Sequence, residues 1–248
     1  MVILKEMNYI VFRNRGRTAL SVCIAALLVC CMSFYLGSIQ TAESAEKNLA
    51  QVIPVTAHVV SRNGARTVGF EIDENHFANL MKADIKDAVY TASACANFQE
   101  QYRAEDVQGA DTSVTAVSGL SALVGVTEEN ITFENGYDLS FLESAEPLCV
   151  VSQSYAAQYG LNVDDMLSMP FYVTRYNDDG FSLRYEHLGM QDVKIIGVYA
   201  DSASGSSVPC SMIVSVPWLQ TVVKENNLRF YYSSFRCALR DPMKLNDF

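Results

Sequence analysis

The feature that most constrains this chain is RNRGRTALSVCIAALLVCCMSFYLGSIQ, three arginines followed by an uncharged run from Thr18 to Ile39. At about 1.5 Å of helical rise per residue, such a run spans roughly the 30 Å of a bilayer's hydrocarbon. A cleaved signal peptide has a shorter apolar region, of about 7–15 residues, ending at a small-x-small site. Ala42-Glu43-Ser44 is one such site, so cleavage stands as an alternative, and the length favours a retained membrane helix over residues 18–39. Lys5, Arg13, Arg15 and Arg17 precede the run, and Glu43 and Glu46 follow it. The positive-inside rule then expects residues 1–17 in the cytoplasm and the main domain outside the cell membrane. Leu4, Met7 and Val11 share a helical face, and the four basic residues Lys5, Arg13, Arg15 and Arg17 are expected to meet the phosphates of the inner headgroups.

Small residues recur along the span at Ala19, Cys23, Ala26, Cys30, Ser33 and Gly37, a 4-3-4-3-4 spacing that puts all six on one face. Such a stripe lets another backbone approach closely, and its period of 3.5 suits left-handed packing against neighbouring helices. Leu20, Leu27 and Phe34 project elsewhere. Because small residues are abundant in this segment, chance is the competing explanation of the stripe.

Beyond the span, QTAESAEKNLAQ is rich in helix formers and predicts a stalk over residues 40–54 that ends at Pro54. Residues 55–248 then form a domain with ample core material, since half the chain of 248 residues is hydrophobic and 10% aromatic. The formal charge of −10 is uneven, +3 on residues 1–17 and −13 on the rest. With no basic stripe on the main body, nucleic acid is excluded as its partner.

VTAHVV and TVGFEI, flanking Asn63-Gly64, predict a hairpin. Asp73 can cap a helix in ENHFANLMKA, where Phe77, Leu80 and Met81 have helical spacing. Strands are expected in AVYTASACANF, VTAVSGLSALVGV, PLCVVS, MLSMPFYVTRY, FSLRYEHL, DVKIIGVYA, SMIVSVP and FYYSSFRCAL, with helices in QSYAAQYG, ended by Gly160, and in WLQTVVKEN. This mixture lacks the regular alternation of a doubly wound parallel sheet, so the class is α+β, one N-terminal transmembrane helix followed by a mixed α+β domain.

That order of motifs resembles the extracytoplasmic core domain of MacB/FtsX-type permeases of ABC transporters. The likeness lies in LVGVTEENITFENGYDLSFLESAEPLCVVSQSYAAQYGLNVDDMLSM, then DVKIIGVYAD and SMIVSVPWLQTVVKENN, with NYIVFRNRGRTALSV leading to the first span. In the family these positions read as a "vviS" strand, a short helix ending near "GD", a "vvGv" strand and a "vP" strand leading into a helix. The family's glycine before the aspartate is Asp164 here. If that glycine serves a turn with positive φ, an aspartate is tolerated less well. The resemblance implies a non-catalytic permease subunit that couples ATP hydrolysis by a cytoplasmic ABC ATPase subunit to export or mechanotransmission outside. It also implies packing against other transmembrane helices of the same or a second permease chain, and a peptide or lipid substrate. Family members carry three further membrane helices after this domain, so the chain reads as the N-terminal part of a longer permease or a half that needs a partner.

Catalytic motifs are missing. There is no GxxxxGK[ST], the histidines His58, His76 and His187 lack ligand spacing, and no CxxC occurs, so neither a cofactor nor a metal is expected. Ser44 and Lys47 form an SxxK inside the stalk without its companion motifs. Asp178-Asp179-Gly180 suits a turn better than a calcium loop. Cys95, Cys149, Cys210 and Cys237 could form two disulfides outside the cell or remain buried thiols. Phe230, Tyr231, Tyr232 and Phe235, with Phe171, Tyr172 and Tyr176, are expected to divide between core and surface by strand alternation. A single-pass binding or sensory ectodomain is the alternative function, and a membrane-anchored hydrolase is disfavoured by the empty motif search.

Overall fold

A computed structural model of the chain describes residues 15–52, 55–98, 110–177, 182–201 and 210–240. Lys5, Arg13, the interfacial helix expected over residues 4–11 and the turn at Asp178-Asp179-Gly180 lie outside the described residues, as does the side chain of Arg15. The chain divides between Pro54 and Val55 into two compact units.

Among the described residues, the first unit holds one helix, α1, from Arg15 to Val52. Its 38 residues carry no proline and no break, so residues 15–52 form one continuous rod, about 57 Å long at the usual rise.

The second unit is α+β, as its motif order predicts. Its strands are β1 (Thr56–His58), β2 (Ile72–Asp73), β3 (Ile85–Ala96), β4 (Thr112–Val117), β5 (Ile131–Phe133), β6 (Leu148–Ser152), β7 (Met166–Tyr176), β8 (Leu183–Tyr199), β9 (Met212–Ser215), β10 (Tyr231–Tyr232) and β11 (Ser234–Leu239). Among the described residues three α-helices join them, α2 (Glu74–Met81), α3 (Gln153–Tyr159) and α4 (Val216–Glu225). Among the described residues, nine strands form one sheet in the order β1-β11-β3-β4-β9-β6-β8-β5, with β7 pairing both β3 and β8. β4 with β9 and β6 with β8 are parallel, and the other ladders of this sheet are antiparallel.

The neighbouring strands β6 and β9 are apolar up to their terminal serines and buried along their whole length, because both their faces are covered. In β6, Cys149 and Val151 enter one cluster with Trp218, Leu219 and Val222 of α4, whereas Leu148 and Val150 enter a second with Phe141, Leu142 and Tyr199. β9 splits in the same way, Met212 and Val214 to the first cluster and Ile213 to the second. The helices start where side chains take up their free N–H groups. Asp73 accepts from the His76 N–H, Ser152 from Tyr155 and Ser215 from Trp218. Gly160 ends α3 in the left-handed conformation, φ +66°.

Sequence expectations are corrected at several points. The hairpin across Asn63-Gly64 forms its turn, with the Ser61 N–H bonded to the Arg66 carbonyl at 2.9 Å, but its arms do not pair. β1 pairs with β11 and β2 with β10, because Gly69, at φ +73°, interrupts the returning strand. The two strands expected around Gly189 are one, β8, in which Gly189 at φ +75° and a register shift opposite Phe171 absorb the irregularity as a bulge. The aromatics do not divide evenly. Phe171, Tyr172, Phe230, Tyr232 and Phe235 are all buried, leaving Tyr176 and Tyr231 partly exposed. The bulge and the break at Ser233 reset the alternation.

Candidate functional site

The six small residues of α1 lie within about 80° of arc at 100° per residue. Ala19, Cys23, Ala26, Cys30, Ser33 and Gly37 are all exposed, as are Leu20, Leu27 and Phe34. No neighbouring atom stands within 4 Å of a Cβ placed on Gly37. Arg17 is exposed at the start of the helix. Ser38 and Thr41 donate to the carbonyls of Phe34 and Gly37, each at 2.8 Å, so these hydroxyls satisfy themselves four residues back without water. Over Gly16–Glu46 the helix is long and apolar enough to cross a membrane.

The sheet domain meets α1 in sequence at Val55, whose carbonyl accepts from the Leu239 N–H at 2.9 Å. β1 is therefore fixed along β11, with Thr56 opposite Ala238 and His58 opposite Arg236. Ala57 and Val59 pack with Ile85, Phe235, Cys237 and Leu239 in a third apolar cluster that also takes Phe77 and Leu80 of α2. Phe77 stacks on Tyr232, centroids 3.8 Å apart, and meets Tyr90 edge-on at 4.8 Å. The first residues of the domain are thus tied into its largest sheet.

Beside this cluster runs an apolar groove of about 640 Å³, lined by Val59, Val60, Phe70, Ile72, Leu80 and His76 among others. His76 is a surface residue, its Nδ1 2.8 Å from Asp73 Oδ1. The groove escapes a motif search because its lining comes from three separated segments.

The cysteines are free thiols. Cys149, Cys210 and Cys237 are buried and Cys95 is half-buried, and burial pushes all four thiols up from their ordinary value. Among the described residues no group of three or more His, Cys, Asp and Glu side chains converges on a possible metal position.

At the motif that carries Asp164, the backbone has φ +79°. The Asp164 N–H donates to the Ile195 carbonyl at 2.8 Å and the Ile195 N–H to the Asp165 carbonyl at 2.9 Å, so this tight turn is docked on β8.

No family model matches the chain, and no curated protein matches it in sequence. Solved structures do resemble it. It is similar to the extracellular domain of the noncanonic ABC-type transporter YknZ from Gram-positive bacteria, with 15% identity and a TM-score of 0.42 over 79% of this chain and 87% of that one. It is also similar to the periplasmic region of MacB from Actinobacillus actinomycetemcomitans, with 10% identity and a TM-score of 0.39 over 75% of this chain and 72% of that one. The first of these is an extracellular domain and the second a periplasmic region.

Proposed function

We propose that this chain is a non-catalytic permease subunit of an ABC transporter of the MacB/FtsX type. It is anchored in the cell membrane by α1 with its N-terminus in the cytoplasm and the sheet domain outside. A cytoplasmic ABC ATPase subunit hydrolyses ATP, and the sheet domain moves with, or is moved by, an exported peptide or lipid. Other transmembrane helices, of the same or a second permease chain, pack on the face that carries Ala19, Cys23, Ala26, Cys30, Ser33 and Gly37. Lys5, Arg13, Arg15 and Arg17 hold the inner interface.

The observation that carries this reading is the unbroken helix from Arg15 to Val52. A rod that continues past the apolar span can pass a tilt or translation to the domain it leads into, where a flexible tether cannot. The ordered motif series supports it, including an Asp164 that adopts the glycine-favouring conformation at the family's glycine position.

A Gly-Pro pair in place of Lys47-Asn48 tests the proposal, since it removes an interior helical hydrogen bond and costs about 3 kcal/mol or more of local helix stability. The expected result is ATPase activity without export or signalling, with the thermal transition of the sheet domain unchanged. Full coupling through a verified break would remove the mechanical role.

The apolar groove between Val59 and Leu80 favours a second reading, a single-pass binding or sensory ectodomain. Full function of residues 55–248 released from the membrane would select it.

A further inference from the structure

A second, smaller cavity of about 140 Å³ lies where the segment 66–71 meets β3, β7 and β10, with Arg66, Glu71, Ser93, Arg175, Tyr176 and Ser233 in its wall. Arg175 is the unusual member. Its side chain is only 8% exposed. Nη2 donates to the Arg229 carbonyl at 2.9 Å and Nη1 to the Thr174 carbonyl at 3.3 Å, while the guanidinium sits 4.7 Å from the centre of the Tyr231 ring. Nε makes no hydrogen bond, and the nearest carboxylate oxygen is Oε2 of Glu186 at 3.5 Å. Glu186 is shared, since Arg184 reaches its other oxygen at 3.2 Å.

Arg66 is held in place by its own segment. Its Nε donates to the Val68 carbonyl at 3.0 Å and Nη2 to the Gly69 carbonyl at 2.6 Å and to the Tyr176 hydroxyl. Gly69 makes that seat possible. It lies at φ +73°, and a Cβ there would come within 2.9 Å of Arg66 Nη2. Glu71 is engaged on its inner side, its Oε1 accepting the Tyr176 N–H at 2.9 Å.

Two guanidinium groups therefore face one carboxylate in this wall, in a chain whose formal charge is −10. Arg184 and Glu186 offset each other nearby. The Tyr176 hydroxyl, which accepts from Arg66, adds a donor, whereas Ser93 Oγ donates to Ser233 Oγ at 3.1 Å and Ser233 Oγ lies 2.8 Å from Thr91 Oγ1. The volume admits a carboxyl group and a few carbons.

We infer that this cavity binds one small carboxylate, supplied either by a free organic acid or by the C-terminus of a peptide. Guanidinium N–H groups make charge-assisted hydrogen bonds to a carboxylate, stronger than those between neutral groups. One net positive charge matches one negative charge, and Glu71 disfavours a phosphate dianion.

The test is calorimetric titration of the full chain in detergent with acetate, inorganic phosphate, and trialanine bearing a free or an amidated C-terminus. Saturable binding of acetate or of free-acid trialanine, with phosphate and the amide at least tenfold weaker, is the expected result. Trialanine binding at least tenfold tighter than acetate assigns the peptide source, and equal binding assigns the free acid. Arg66→Gln should weaken binding at least tenfold and Glu71→Gln should tighten it. Because Arg66 also seats residues 66–69, unchanged thermal transitions of both variants accompany the measurement, and the tightening by Glu71→Gln is read separately. No saturable binding, phosphate preferred over acetate, equal binding of acid and amide, or an Arg66→Gln affinity equal to that of the unmodified chain would each overturn the inference.

Discussion

Lys194 on β8 pairs with Asp164, a residue held at φ +79°. The same ammonium lies 3.8 Å from Glu134 Oε2 and 5.2 Å from the centre of the Tyr137 ring. Asp164, hydrogen-bonded to it, is the chief cause of a Lys194 pKa raised above the ordinary lysine value. A left-handed backbone that favours glycine is thus occupied by a side chain whose carboxylate has found a cation.

Two substitutions separate backbone from charge. Asp164→Gly and Asp164→Ala lose the ion pair equally, but only alanine keeps a Cβ in the left-handed conformation, at a cost of about 1–2 kcal/mol. Asp164→Ala should therefore be less stable than Asp164→Gly by about that amount in chemical denaturation. Equal midpoints would show that the turn relaxes out of the left-handed region.

Gly197, inside the strand segment IIGVY, is a packing position. β5 crosses β8 here, with Phe133 opposite Gly197. A Cβ would meet the Thr132 carbonyl oxygen at 3.0 Å and Phe133 Cδ1 at 3.2 Å. Backbone cannot yield as a side-chain tip can, so Gly197→Ala should cost about 1–3 kcal/mol, read as a lowered thermal midpoint. An unaltered midpoint would mean that β5 detaches at little cost.

Local signals carried much of this fold. The capping residues Asp73, Ser152 and Ser215, the terminating Gly160 and the doubly buried PLCVVS are each set by near neighbours in sequence, and each lies where a local rule puts it. Pairing partners were not legible. Nothing near Asn63-Gly64 tells that β1 will choose β11, some 180 residues away, and Gly189 has the same appearance in a turn as in a bulge. The cavity with Arg175 stayed hidden for the same reason, since its wall joins segments that meet only when the sheet is assembled.

Acid should loosen the attachment of α2. Glu74 takes hydrogen bonds from Lys224 at 2.7 Å and Gln220 at 2.6 Å, both on α4, and these, Lys224 first, lower its pKa from 4.5. Asp73 is lowered from 3.8 chiefly by the His76 backbone N–H. Depressed carboxylates contribute stability that is present above their ordinary pKa and lost as pH falls through the folded value. Urea midpoints should accordingly be flat near neutrality and fall below pH about 4.5, and Glu74→Gln should reduce the fall. A variant with the same acid dependence would exclude Glu74 from it.

Topology can be tested on intact cells. With α1 retained as the anchor, added protease should remove the sheet domain and leave a tag before Asn8 protected. Recovery of a soluble form beginning near Ala45 would instead establish cleavage after Ser44.

The small-residue face of α1 has a prediction of its own. Ala26 and Ser33 are seven residues apart and share an exposed stripe with Cys30 and Gly37. In lipid, apolar bulk alone drives no association, so close backbone approach across small side chains and the dispersion contacts it allows are what hold two helices together. Ala26→Leu with Ser33→Leu replaces that smooth surface with branched side chains and should reduce co-purification with the other transmembrane helices by at least several-fold. Leu27→Ile lies off the stripe, and lipid accepts either aliphatic, so assembly should be retained. The sheet domain's thermal transition should stay constant in both variants, because their changes are confined to α1. If the double variant co-purifies as well as Leu27→Ile, the partner helices pack on another face and the spacing from Ala19 to Gly37 is coincidence.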